Sequence, residues 1–359
     1  MRHLIVLLMI SIVLVSGCLS EAPAEGGTSS PVFPSSSQEG THSHCVPPVN
    51  TGSSPPLVST PRNHSNSSGD TLNGTVDLGD LSIESWAYWL QNASPEVISG
   101  SGFDLVVMDY SRDGSDEGAY KREEIEAIKE AGVVPIAYIS IGEAEDYRFY
   151  WSQSWAETPP RWLGPENPDW PGDYAVRYWD AQWKRIIFNY VDVIIAQGFS
   201  GLYLDKVDEF EYWASEGYDE NWTAEEMVDF ILEIASYARS RAGDGFLIIP
   251  QNGERLLEYD DGRLLRAISG WASEDLFYDG TDPSNWTREK EPLLEEVRRA
   301  GKLVLVVDYV DDGTGSSENM ARIRDFIKRA REKGYIPYAA REDRELDELV
   351  IIPGVQPPI

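Results

Sequence analysis

Histidine and cysteine are missing from most of this 359-residue chain. All four histidines (His3, His42, His44 and His64) and both cysteines (Cys18 and Cys45) fall near its amino terminus. Everything after His64 therefore has no Ser-His-Asp or Cys-His nucleophile system. It also has no zinc site of the usual nitrogen and sulfur ligands and no disulfide. Acid–base work is left to carboxylates, lysine and tyrosine. Basic residues are scarce: 30 Lys and Arg face 61 Asp and Glu, a formal net charge of −31. Nucleic-acid binding needs clustered Lys and Arg, so no nucleic-acid partner is expected. The acidic surplus suits a cationic substrate, or simply keeps the chain soluble. Long apolar runs are limited to Leu4–Val15, which is short for a membrane span. No glycine-rich phosphate loop follows the first strand-like segment, and no cofactor is implied.

Met1–Cys18 reads as a targeting segment. Arg2 supplies the positive end, Leu4–Val15 the apolar run, and Val15-Ser16-Gly17-Cys18 a lipobox-like close. Cys18 is then the lipidated first residue of a mature protein; an ordinary signal peptide or an uncleaved anchor is the alternative. One lipid chain holds weakly, so a stable anchor needs more than one. The expected location is extracytoplasmic, either on the cell surface or secreted. Residues 19–80 are dominated by Ser, Thr, Pro, Gly and Asn. Such a stretch buries too little apolar surface to offset its ordering entropy, and it reads as a disordered tether. Asn63, Asn66 and Asn73 begin glycosylation sequons there. Cys45 receives no role.

Residues 81–359 are the right length for one β/α barrel, about 250 residues. Strands are expected at Glu84–Leu90, Phe103–Asp109, Val133–Ile141, Leu202–Leu204, Phe246–Pro250, Leu264–Gly270, Leu303–Val307 and Tyr335–Ala340. Helices are expected at Arg122–Ala131, Ala181–Gln197, Trp222–Ala242, Arg288–Ala300 and Ser316–Lys333. Thr223 and Glu226 resemble a capping box for the third of these. Gly132, Gly198, Gly301 and Gly334 each stop a helix just before an apolar run. Strands separated by helices imply parallel β/α units, and eight of them imply a closed (β/α)8 TIM barrel. An open doubly wound sheet is the alternative. Glu145–Asp180 reads as a long, tryptophan-rich connection, a length usually tied to function.

Six carboxylates fall at or just after the strand ends: Asp109, Glu143, Asp205, Glu254, Glu274 and Asp308. In a barrel these ends share one face, where active sites lie. One acid at such a position often caps the next helix. A ring of six repelling acids has little structural reason to exist. Two carboxylates suffice to hydrolyse a glycosidic bond, one giving a proton and the other attacking or activating water. Arg148, Lys206 and Arg341 are placed to keep some of them charged, and Tyr138 and Tyr278 to orient others. Tyr203 reads as packing against the helices. Trp151, Trp213 and Trp271 lie near strand ends and have faces suited to sugar C–H groups.

Three segments carry a resemblance. They are Tyr138-Ile-Ser-Ile-Gly-Glu143-Ala-Glu145-Asp-Tyr147-Arg148, Gly201-Leu-Tyr-Leu-Asp205-Lys-Val-Asp208 and Ser273-Glu274-Asp-Leu-Phe-Tyr278. Together they resemble glycoside hydrolase family 114, the endo-α-1,4-polygalactosaminidase-like barrel family, and its prokaryotic secreted lipoprotein branch. The resemblance spans nearly all of residues 81–359. It implies action on a galactosamine-containing polysaccharide, with Asp205 and Glu274 as the catalytic pair. Asp109, Tyr138, Glu143, Arg148, Asp208, Asn252, Trp271 and Asp308 are the expected substrate-binding residues around that pair. A barrel that binds glycan without cleaving it is the second reading, and an all-oxygen divalent-cation site the third.

Overall fold

The computed structural model describes residues 82–358. The targeting segment with Cys18, the tether with Cys45 and the three sequons lie outside the described residues. Eight parallel strands alternate with helices in a (β/α)8 barrel. Strands β1 to β8 are Trp86–Tyr88, Leu105–Met108, Val134–Ser140, Gly201–Asp205, Leu247–Pro250, Gly270–Glu274, Leu303–Asp311 and Ile336–Arg341. Helices α1 to α8 are Pro95–Ser99, Arg122–Glu130, Ala181–Gln197, Glu209–Ser215, Glu220–Ala242, Arg263–Ala267, Thr287–Arg299 and Ser317–Glu332. Strands β1 to β5 hydrogen-bond in sequence order as one sheet, and β6 to β8 form a second. A bridge between Gln251, just past β5, and Ala272 of β6 joins the sheets on one side. On the other, the Trp86 indole N–H donates to the Ile336 carbonyl at 2.8 Å.

Every residue of β1, β2, β3 and β5 is buried. Helices cover the outer face of the sheet and side chains fill the inner one, so these strands read as continuous apolar runs rather than alternating ones. Trp86, Tyr88, Tyr203 and Tyr338 pack inside the barrel, with ring centroids 5.2–6.2 Å apart. The expectation that Tyr203 faces the helices is thereby corrected. Tyr203 and Asp205 are two residues apart on β4, and the strand period of two puts them on one face.

Three other expectations shift. Residues 264–270 are not the sixth strand. The Asp260 carboxylate accepts from the Gly262 and Leu264 amides, which starts α6, and β6 begins only at Gly270. Helix α5 starts at Glu220, where Asp219 accepts from the Trp222 amide at 3.0 Å. Thr223 is buried and donates to the Phe210 carbonyl instead of capping. The long connection holds structure of its own. Glu143–Glu145, Asp173–Val176 and Leu163–Glu166 pair there as an antiparallel sheet, with Asp173–Val176 in the middle. A chain of rings from Trp151 through Trp155 and Trp162 to Trp183 pins this lobe to α3.

Candidate active site

Asp205 is the last residue of β4 and is half-buried. Its Oδ2 accepts from the Tyr138 hydroxyl at 2.7 Å, and its Oδ1 from the Lys206 amide at 2.8 Å. Glu274 is the last residue of β6 and is also half-buried. Its Oε1 accepts from the Tyr309 hydroxyl at 2.5 Å and its Oε2 from the Asn252 side-chain amide at 3.0 Å. Only β5 separates the two strands, so the acids face the same end of the barrel on either side of it. Lys206 and Asp275, the residues just after them, and Asn252 after β5 all have positive φ, at 61°, 52° and 58°. Non-glycine residues held there cost of order 1–3 kcal/mol each and persist only where the surroundings fix them.

Burial pushes the Asp205 carboxyl up to about 7. The Lys206 ammonium pulls it down, the Glu274 charge raises it, the Tyr138 hydrogen bond lowers it and Asp208 raises it again. Tyr88 and Tyr203 lie beneath both acids, and each phenol feels both charges.

A second group of acids surrounds Lys206. Its Nζ lies 3.1 Å from Glu143 Oε2, and Asn167 donates to Glu143 Oε1 at 2.7 Å. Burial pushes Asp173 and Glu209, beside them, well above the ordinary carboxylate range. Gly142 permits this closeness: a Cβ there would sit 2.1 Å from the Lys206 carbonyl oxygen. Asp208 immediately precedes α4 on the same side and is half-buried.

The other expected site residues separate from this centre. Arg148 is buried between Asp109, at 2.6 Å, and Glu145, which it grips through Nε at 2.6 Å and Nη2 at 2.8 Å. Both acids are buried as well, so Asp109 and Arg148 tie β2 to the lobe after β3 rather than presenting free groups to substrate. Asp308 accepts from the amides of Leu276, Phe277 and Tyr278 and is fully buried; it shapes the loop behind Glu274. Its neighbour Tyr309, on the opposite face of β7, is the residue that reaches the pair. Trp271 is fully buried and donates to the Asn252 carbonyl at 2.8 Å, so it offers no face to a sugar. Trp213 is buried too, bonded to the Val176 carbonyl. Trp151 is half-buried against Tyr174. Glu254 binds the Ser273 hydroxyl, Tyr278 donates to Asp325, and Arg341 pairs with Asp311 and Glu348. Among the described residues no group of His, Cys, Asp or Glu is arranged to hold a metal ion.

Tyr309, Asn167, Asp173 and Glu209 escaped the sequence reading. For Tyr309 the signal was present: counting by twos along β7 separates it from Asp308. The other three arrive through lobe and helix contacts that no spacing rule encodes.

Comparison with known proteins places the chain in a family. The sequence description of glycoside-hydrolase family GH114 matches residues 72–356. An uncharacterised protein of Methanocaldococcus jannaschii is 56% identical over 298 residues, covering 82% of this chain and 86% of that one. An uncharacterised protein of Thermotoga maritima is 53% identical over 281 residues, covering 77% and 87%. The glycoside hydrolase domain of PelA from Pseudomonas aeruginosa superposes with a TM-score of 0.57 at 20% identity, over 75% of this chain and 98% of that domain. Ega3 of Aspergillus fumigatus, solved in complex with galactosamine, superposes with a TM-score of 0.56 at 15% identity, over 76% and 97%. By the span of the family match and the identity to these relatives, this chain belongs to glycoside-hydrolase family GH114.

Proposed function

We propose that the protein is a glycosidase that cleaves an α-1,4-linked, galactosamine-containing polysaccharide. The reading rests above all on one observation: two strand-end acids, each held by one tyrosine, end the strands on either side of β5. Asp205 acts as nucleophile or base at the anomeric carbon. Glu274 gives its proton to the departing oxygen. Tyr138 and the Lys206 amide fix the Asp205 oxygens, while Asn252 and Tyr309 fix those of Glu274, so neither acid must reorganise as charge develops. Asp208 and Glu143, beside Lys206, contribute negative charge suited to a protonated amino sugar, whereas Asp173 and Glu209 are held mainly protonated by burial. Family membership and the galactosamine complex of Ega3 support the substrate class.

The test is release of reducing ends from an α-1,4-galactosamine polymer. Asp205→Asn and Glu274→Gln should each lower turnover by at least about a hundredfold, the usual scale for positioned acid–base groups. Turnover equal to the parent in both variants would remove the assignment. Saturable binding that never leads to cleavage by the parent protein would leave a glycan-binding barrel. We further propose that the enzyme works outside the cytoplasm, anchored through lipid on Cys18. Cys18→Ser should then move it from the membrane fraction to the soluble fraction.

A further inference from the structure

A cluster of aromatic rings lies apart from the catalytic pair. Trp179, Trp213, Tyr218 and Trp222 touch one another with ring centroids 4.8–5.9 Å apart. Trp213 is the buried anchor, covered by the Arg177 guanidinium at 4.7 Å. Tyr218 and Trp222 are 38% and 36% exposed and stack with their planes 18° from parallel, which leaves an aromatic facet open to water. Trp170 and Trp286, also exposed, have no ring neighbours of this kind among the described residues, and single exposed apolar residues are ordinary.

Connectivity puts the facet at the catalytic end of the barrel. Helices α3 and α5 return the chain to the start of β4 and β5, so their first residues lie at the end where β3 and β4 finish. Trp179 immediately precedes α3, and Tyr218 and Trp222 flank the start of α5. Helix α4, which carries Trp213, starts four residues after Asp205 and is only about 10 Å long. Glu216, Asp219 and Glu225, all exposed, border the facet. That fringe repels phosphate-rich partners such as nucleic acid or anionic lipid, and it attracts a cationic chain.

From these features we infer that Tyr218 and Trp222, backed by Trp179, form a secondary sugar-binding platform. It holds a segment of polycationic amino-sugar polymer beyond the bond being cleaved. The C–H faces of the sugar rings lie on the parallel side chains, and the acidic fringe meets the amino groups. This rests on the proposed substrate class but not on Asp205 and Glu274 being catalytic.

The experiment separates the two ideas. Binding of an α-1,4-galactosamine polymer to full-length protein carrying Glu274→Gln is measured by affinity electrophoresis and calorimetry, with chitosan and neutral dextran as further arms. Trp222→Ala and Tyr218→Ala are each added to that background, and each is also assayed alone for hydrolysis. Each substitution should weaken polymer binding roughly tenfold, about 1.4 kcal/mol. In the assay the loss should fall on KM for the polymer, and Trp222→Phe should restore most of it. Tyr218 lies in an exposed loop, so its variant keeps the test open if Trp222→Ala fails to fold. Binding and KM unchanged in folded variants would overturn the platform while leaving the hydrolase reading intact. Weakened binding in a protein that never cleaves would leave the platform standing and remove the hydrolase. Equal retention on dextran would overturn the assignment to a cationic sugar.

Discussion

Two influences oppose each other at Asp205. Burial pushes its carboxyl up to about 7, whereas a nucleophile or base must be ionised. Below about 7 the protonated form accumulates, so kcat/KM should fall as pH drops through that value. Lys206 exerts the largest downward pull on the carboxyl, against Glu274 and Asp208. Lys206→Met should therefore move the acid limb to higher pH in a pH–rate profile; a limb that stays put would exclude Lys206 from the tuning. At this scale the sequence was partly legible. Tyr138 sits with Asp205, and Asn252 with Glu274. Asp308 and Trp271 hold neither acid, because a one-residue step along a strand reverses the face on which a side chain emerges. The sequence places Arg148 both as a partner that keeps strand-end acids charged, as it does for Asp109, and as a substrate ligand beside Asp109. Their mutual burial depends on a lobe whose packing cannot be counted out of spacing.

At the level of elements, Asn252 is the connector. Its backbone amide donates to the Ala272 carbonyl at 2.9 Å and its carbonyl accepts from the Trp271 indole. Its side-chain oxygen accepts from the Glu274 amide at 3.0 Å, and its side-chain nitrogen holds the Glu274 carboxylate. The side-chain amide of Asn252 is engaged by Glu274, and we propose a positioning role for it. Asn252→Ala should lower kcat and cost about 1–3 kcal/mol of stability, since Glu274 loses two partners. Asn252→Gly should lower kcat similarly and melt higher than the alanine variant, because glycine accepts the positive φ without strain. Equal melting of the two would show that the backbone conformation carries no penalty. The (β/α)8 order itself was readable from glycine-stopped helices before apolar runs. Strand β6 was not: it holds Gly270, Ser273 and Glu274, which favour strand poorly, while the preceding leucines mimic one.

Across the whole molecule, the acids set how stability depends on pH. Burial pushes Asp205 and Asp308 up to about 7 and Asp275 to about 6, and it raises Asp109, Asp173 and Glu209 as well. Unfolded carboxyls titrate near about 4, so folding takes up protons between that value and the raised ones. Stability then falls as pH rises through this window, and the net charge of −31 adds self-repulsion in the same direction. The full-length protein should melt at a higher temperature at pH 5 than at pH 8. The reverse order in scanning calorimetry would contradict the buried-acid assignment. Acids held low by hydrogen bonds, such as exposed Asp113 and half-buried Asp312, lose their contribution only at lower pH.

The join between the two sheets carries a consequence of its own. Asp205 ends a strand of the larger sheet and Glu274 a strand of the smaller, and the contact of Gln251 with Ala272 lies between them. The gauge between the acids is therefore a dimension of a joint, not of a single ladder. If Asp205 and Glu274 are the catalytic pair we propose, that gauge decides whether a product keeps or flips its anomeric hand, and a bulkier side chain at buried Ala272 would change it from within the joint.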